Sequence, residues 1–277
     1  MKVARLVLIF ICVVFPAAAQ TMTFDQWQAG APNPNGAPSR GGVIYTNVGQ
    51  VKGELFLVDA YWPCPSLTAT ISDNGGNKYR PIGTRVTSGG VAFQHWYAVN
   101  RVTETNYAAI TLTLSGSCTA NGIAFNSFYL ELISVKGIDG KTPIDAATVV
   151  TGTGKTAAMS LTSGTPAESE TMLAIFLTAG VGVPFTTTKG WTPWGSGEAV
   201  AGNEYKAGVT GPATATVTAA TASPWGGILY GIRPGTSGTG TLIAGGGRSG
   251  GTTEALRAAF WQMHRPAPRA LVLHPPA

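Results

Sequence analysis

The chain has 277 residues, of which only 11% are charged and 44% hydrophobic, with 37 glycines, 18 prolines and a formal charge of +5. A composition so thin in charge and so rich in Gly, Thr and Ser favours strands and turns over helices. The positive charge belongs to the ends: Lys2 and Arg5 open the chain, and Arg248, Arg257, Arg265 and Arg269 close it against Glu254 alone, so the body between them is electrically balanced and has no basic face with which to displace counterions from nucleic acid.

In chain order, Met1-Lys2-Val3-Ala4-Arg5 precedes an apolar run from Leu6 to Phe15, then Pro16 and Ala17-Ala18-Ala19 before Gln20. A basic start, a short apolar core and a small-x-small exit form the pattern of a secretory signal peptide, here residues 1–19, cleaved after Ala19. A spanning helix needs about 20 apolar residues, and Pro16 closes this run too early. No later run is long enough, so no transmembrane segment is expected after cleavage, and the mature protein is expected to be secreted, to the periplasm, cell surface or medium.

Residues 20–42 carry the Pro/Gly/Asn cluster from Ala29 to Gly42 and read as an irregular lead-in. Residues 43–234 read as one all-β domain. Strands are expected at Gly53 to Tyr61, Leu67 to Ser72, Val91 to Asn100, Phe125 to Val135, Thr171 to Thr178 and Gly227 to Ile232. Ile110-Thr-Leu112-Thr-Leu114 and Thr214-Ala-Thr216-Val-Thr218 alternate strictly, the mark of strands with one buried and one wet face. Asp73-Asn74-Gly75-Gly76-Asn77, Ser88-Gly89-Gly90 and Gly137-Ile138-Asp139-Gly140-Lys141 are the turns between them. Many short strands without helical periods give an antiparallel two-sheet sandwich of jelly-roll or Ig-like type. Residues 235–277, rich in Gly and Pro, read as a flexible tail with a short helix at 254–263, whose Leu256, Phe260 and Met263 share a side.

Cys12 leaves with the signal peptide. Cys64 and Cys118 remain, and two cysteines in an oxidising compartment predict one structural disulfide. Neither has a nearby Cys or His for zinc.

Several sequence patterns touch on chemistry. Gly152-Thr153-Gly154-Lys155-Thr156 has the ending of a phosphate-binding loop, but the full pattern needs Gly where Val149 stands, and the segment is read as a Thr-Gly loop between strands. His95 is the body's one histidine, in a strand where it shares a face with Tyr97 and opposes Trp96; without a Gly-x-Ser-x-Gly elbow it is read as a half-buried or surface residue. Glu131, Glu168, Glu170, Glu198 and Glu204 are the carboxylates from which a glycosidase pair would come, with Glu168 and Glu170 expected on one face of one strand. Asp73, Asn74 and Asn77, or Asp139 and Asp145, offer oxygen ligands, but Asx-turn bonding explains the first group as well, and neither a metal nor a cofactor is expected.

Read as a series, the body resembles a group of secreted bacterial β-sandwich domains of large extracellular or surface proteins. The residues that carry the resemblance are Asp73 to Tyr79 (an Asp-x-x-Gly-Asn-x-Tyr turn with one extra Gly), His95 to Asn100, Ile110 to Leu114, Pro143-Ile144-Asp145, Gly190-Trp191-Thr192, Glu204-Tyr205-Lys206 and Trp225. The group's Glu-Tyr-Ser-Gly appears here as Ser134-Val135-Lys136-Gly137. The resemblance spans most of residues 50–233 and implies fold and location rather than activity.

Aromatic side chains supply the remaining candidates. Trp96 and Trp225, in strands, are expected in the core. Trp191 and Trp194, in a Gly/Pro-bounded segment, are expected to be exposed and, with Tyr205, to form a ligand-binding platform suited to a sugar face. The reading is therefore an exported, non-enzymatic binding or surface module for a glycan or envelope component. A structural subunit of an extracellular assembly and a glycoside hydrolase are its rivals.

Overall fold

The computed structural model describes residues 22–30, 41–45, 50–103, 108–117, 129–178, 185–194, 201–235 and 243–244. The signal peptide expected at 1–19, Cys118, Glu198 and the helix expected at 254–263 lie outside them. Fifteen strands are described in chain order: β1 (Thr23–Gly30), β2 (Gly41–Tyr45), β3 (Leu55–Pro63), β4 (Thr68–Asp73), β5 (Arg80–Ser88), β6 (Val91–Val99), β7 (Ala109–Ser115), β8 (Tyr129–Lys136), β9 (Ile144–Thr162), β10 (Glu170–Thr178), β11 (Phe185–Thr186), β12 (Thr192–Pro193), β13 (Ala201–Val209), β14 (Thr214–Ile232) and β15 (Ile243–Ala244). No helix is present among the described residues.

The strands form three sheets. The first has the order β15-β1-β8-β3-β6-β5, the second β11-β14-β10-β13-β12 with β9 also on β14, and the third β2-β7-β4. Pairing is antiparallel except between β1 and β15. The expected all-β antiparallel sandwich is present, with a third sheet added on the outside.

Burial shows why. Leu55, Leu57, Phe93, Ile133 and Val135 of the first sheet pack on Leu173, Ile175, Leu177, Ile228 and Tyr230 of the second. The opposite face of the same strands, with Phe56, Val58, Trp62, Trp96 and Leu132, packs on Ile44, Ile110, Leu112 and Leu114 of the third sheet. Strand β3 is thus buried on both faces, which explains its unbroken apolar run, whereas β7 covers one face only and alternates. Strand β10 is likewise two-faced: Met172, Ala174 and Phe176 point away from the first sheet into a third cluster with Met159, Leu161, Ala215, Val217 and Trp225. Apolar side chains of the second half of β9 and the first half of β14 supply that cluster's outer wall. The β9–β14 register shifts between Thr218 and Ser223, a bulge of the kind that bends a long pair.

Three expectations are corrected. The lead-in 20–42 contains β1 and the start of β2, because β1 completes the edge beside β8. Two residues assigned to the flexible tail, Ile243 and Ala244, pair with Thr23 and Phe24. The segment Gly152–Thr156 is interior to β9 and not a loop, paired through Trp225↔Gly154 and Gly227↔Gly152. Its glycines have a packing reason: a Cβ on Gly154 would come within 2.8–3.0 Å of the Trp225 indole, whose Nε1–H donates to Thr156 Oγ1 at 3.1 Å. The phosphate-loop look-alike is a seat for a tryptophan.

Candidate functional site

The densest chemistry lies between the first and second sheets. Strand β3 places Asp59 in register with His95 of β6 on one side and Glu131 of β8 on the other, so the three side chains form a row across one face. That face looks at the second sheet, from which Asn203 of β13 and Tyr230 of β14 approach, Tyr230 lying in the same inter-sheet core. All five are enclosed: Asp59, Glu131 and Tyr230 are 0% exposed, His95 and Asn203 1%.

His95 Nδ1 and Asp59 Oδ1 share a hydrogen bond. Asn203 Nδ2–H donates to Glu131 Oε1 at 2.6 Å across the gap between sheets, and the Tyr129 hydroxyl donates to Glu131 Oε2 at 3.3 Å. Burial pushes the Asp59 carboxyl up, and the charge and hydrogen bond of His95 pull it back. Burial first, then the Asp59 and Glu131 carboxylates, push the Tyr230 phenol well above its ordinary value, so it stays un-ionised. Tyr61, stacked on Tyr129 with centroids 5.7 Å apart, is pushed up to about 12 by burial. An Asp–His couple of this kind orients an imidazole, but a substrate atom would have to enter the inter-sheet core to meet it.

The sequence-predicted residues are dispersed. His95, expected half-buried or exposed, is fully buried, because its strand is covered on both faces. Glu204, 0% exposed, points away from Asn203 and accepts from Thr188 N at 2.8 Å, tying down the segment before β12; the Thr188 hydroxyl lies 2.8 Å from its Oε1. Glu170 is buried at the far end of β10, while Glu168 is exposed in the bend before it, so the two do not share a face. Among the described carboxylates of the glycosidase set, Glu131, Glu170 and Glu204 therefore serve three separate places.

The aromatic platform is also redistributed. Trp191, expected to be exposed, is 7% exposed within the outer apolar cluster, whereas Trp194 is half-buried against the inter-sheet core and Tyr205, 8% exposed, belongs to that core. The physical reason is the short strand β12, Thr192–Pro193, which pairs with Tyr205 and Glu204 and puts residues on either side of it into different layers. Trp96 and Trp225 are in the core, as expected.

The Asp73 turn is a brace. Asp73 Oδ1 accepts from Asn77 N at 3.0 Å, and Oδ2 from Asn77 Nδ2 at 2.7 Å and the Tyr79 hydroxyl at 2.8 Å. Asn77 also donates to Asn100 Oδ1 at 3.2 Å and accepts from Arg101 N at 2.9 Å, linking the turn to the end of β6. Among the described residues no group of three or more His, Cys, Asp or Glu side chains is arranged to hold a metal ion.

Sequence reasoning missed Asp59, Asn203 and Tyr230. A signal for Asp59 was present: one carboxylate inside the otherwise apolar Leu55–Trp62 is costly to bury unless partnered.

What fold and site together define is an antiparallel β-sandwich with a polar seam sealed between two of its sheets. No family model, no curated protein and no solved structure matches the chain.

Proposed function

We propose that this protein is an exported, non-enzymatic module that works as a structural unit of an extracellular or cell-surface assembly. The observation that carries the reading is that Asp59, His95, Glu131, Glu170 and Glu204 are each at most 1% exposed, so their polar chemistry is invested inside the fold. Strand β4 adds to it: it pairs with β7 on one edge and presents Thr68, Thr70 and Ser72 outward in an alternating pattern, an edge suited to pairing with another chain. The resemblance to secreted bacterial β-sandwich domains belongs to the same reading.

Sedimentation or size-exclusion of the purified mature protein over a wide concentration range tests it. Self-association or association with envelope material is the expected result, and a strict monomer that ignores such material counts against it. N-terminal sequencing of exported protein is expected to begin at Gln20.

A Cys64–Cys118 disulfide is part of the proposal. Thr68 pairs with Ser115, and Ser66 Oγ donates to the Ser117 carbonyl at 3.0 Å, so the residue before Cys118 is held beside the turn that follows Cys64. Mass spectrometry of non-reduced peptides should find the cross-linked pair.

A second reading, binding of a glycan, rests on Trp194, the one residue of the expected platform that keeps partial exposure. Pull-down on a polysaccharide panel decides it, with Trp194→Ala losing whatever binding the parent shows.

A further inference from the structure

Glu170 ends up in a place where a carboxylate is poorly served. It is 1% exposed and, among the described residues, neither of its oxygens accepts a well-formed hydrogen bond; Arg233 Nε pairs with Oε1 at 3.4 Å. Its neighbour Asp145, 2% exposed, is well served: Oδ1 accepts from Ala147 N at 3.0 Å and Arg233 Nη2 at 2.9 Å, and Oδ2 from Ala167 N at 3.0 Å. One guanidinium reaches both carboxyl groups, Arg233 Nη2 lying 2.9 Å from Asp145 Oδ1 and Nε 3.4 Å from Glu170 Oε1. Burial without donors favours the neutral acid at Glu170, while three donors favour the carboxylate at Asp145, so of the two it is Glu170 that is suited to keep a proton.

The place is specific. Glu170 lies flat on Gly231, where any Cβ would collide with its Oε2. Around it, β9 supplies Asp145 and the Thr148 hydroxyl, which donates to the Asp145 carbonyl at 2.8 Å and accepts from Gly231 N at 2.7 Å. The end of β14 supplies Arg233, the turn before β9 supplies Asp139 within electrostatic range of Arg233, and β13 places the uncharged Val209 in register. Arg233 also fastens the chain's exit: its amide donates to the Pro143 carbonyl at 2.8 Å, its carbonyl accepts from Asp139 N at 3.0 Å, and Gly235 N donates to the Gly137 carbonyl at 2.9 Å.

We propose that Glu170, Asp145 and Arg233 form a proton-held latch that fastens the end of β14 to the 137–145 turn, and that loss of the Glu170 proton loosens it. Burial first, then the hydrogen bond and charge of Asp145, raise Glu170 to about 8, with Arg233 opposing. Ionisation sets two carboxylates side by side before one guanidinium, and the segment that leads from the domain into the C-terminal residues gives way first.

The test is equilibrium unfolding of the wild-type chain and Glu170→Gln from pH 5.5 to 9.5. The wild type is expected to lose stability as pH rises towards 8, its folding equilibrium constant falling by up to about tenfold per pH unit, whereas Glu170→Gln is flat across that window. Equal slopes in the two proteins overturn the proposal. Carbon NMR titration of the Glu170 carboxyl in the wild type keeps it falsifiable even if the variant does not fold: a midpoint above pH 7 supports the latch, and one in the ordinary carboxylate range overturns it.

Discussion

Asp59 is tolerable in the middle of β3 only because β6 and β8 bring their own polar groups to the same height on the same face. Burying a carboxylate is costly unless a donor meets it, and removing one member of a buried pair leaves the other stranded. Asp59→Ala is therefore expected to destabilise the fold by about 3–5 kcal/mol, measured by urea unfolding. The double variant Asp59→Ala/His95→Ala should cost less than the sum of the two single changes, because neither partner is then left alone. Gly154 obeys a different constraint, that of space: Gly154→Ala pushes a methyl into the Trp225 indole and is expected to cost about 1–3 kcal/mol, with the tryptophan emission changed in the folded state.

At the level of the element, strands buried on two faces carry more of the stability than those buried on one. Phe176 is fully buried on β10 in contact with Trp225, ring centroids 6.0 Å apart, and Phe176→Ala is expected to cost about 3–5 kcal/mol by denaturant titration. The Asp73 turn owes its shape to one carboxylate that accepts three bonds. Asp73→Ala removes the acceptor for Asn77 and for the Tyr79 hydroxyl, and hydrogen exchange at the Asn77 and Arg101 amides should speed up while the core strands stay protected. The same substitution should bring Tyr79 down towards an ordinary phenol, since burial and the Asp73 charge are what raise it.

For the molecule as a whole, the two buried carboxyls of the latch set opposite limits on pH. Burial alone would raise Asp145, but the Ala167 and Ala147 amides, Glu170 and Arg233 together hold it below its ordinary 3.8. Its contribution is present above that value and lost as pH falls through the lowered one. Glu170 is raised from 4.5 to about 8, so its contribution is complete below pH 4.5 and is lost as pH climbs towards 8. As far as these two groups set it, thermal stability is expected to peak on the acidic side and to fall as pH climbs from 4.5 towards 8; a maximum above pH 8 would contradict the Glu170 assignment.

Period-two alternation at Ile110–Leu114 and Thr214–Thr218, and the turn at Asp73, were legible in the sequence because each depends on neighbours a few residues apart. Local chemistry also marked Trp96 and Trp225 as core. The third sheet, the β9–β14 fold-over and the partnership of Asp59, His95 and Glu131 were not legible, because cross-strand register joins residues 36 and 72 positions apart and no local spacing encodes it. Trp191 shows the same limit: Gly and Pro around it correctly signal a break in the strands, but whether that break faces solvent depends on what the rest of the chain lays over it. The sequence by itself determined an all-β chain with a strand-and-turn grammar; only tertiary structure decided which polar groups were sealed between sheets, since burial is a property of layers and not of segments.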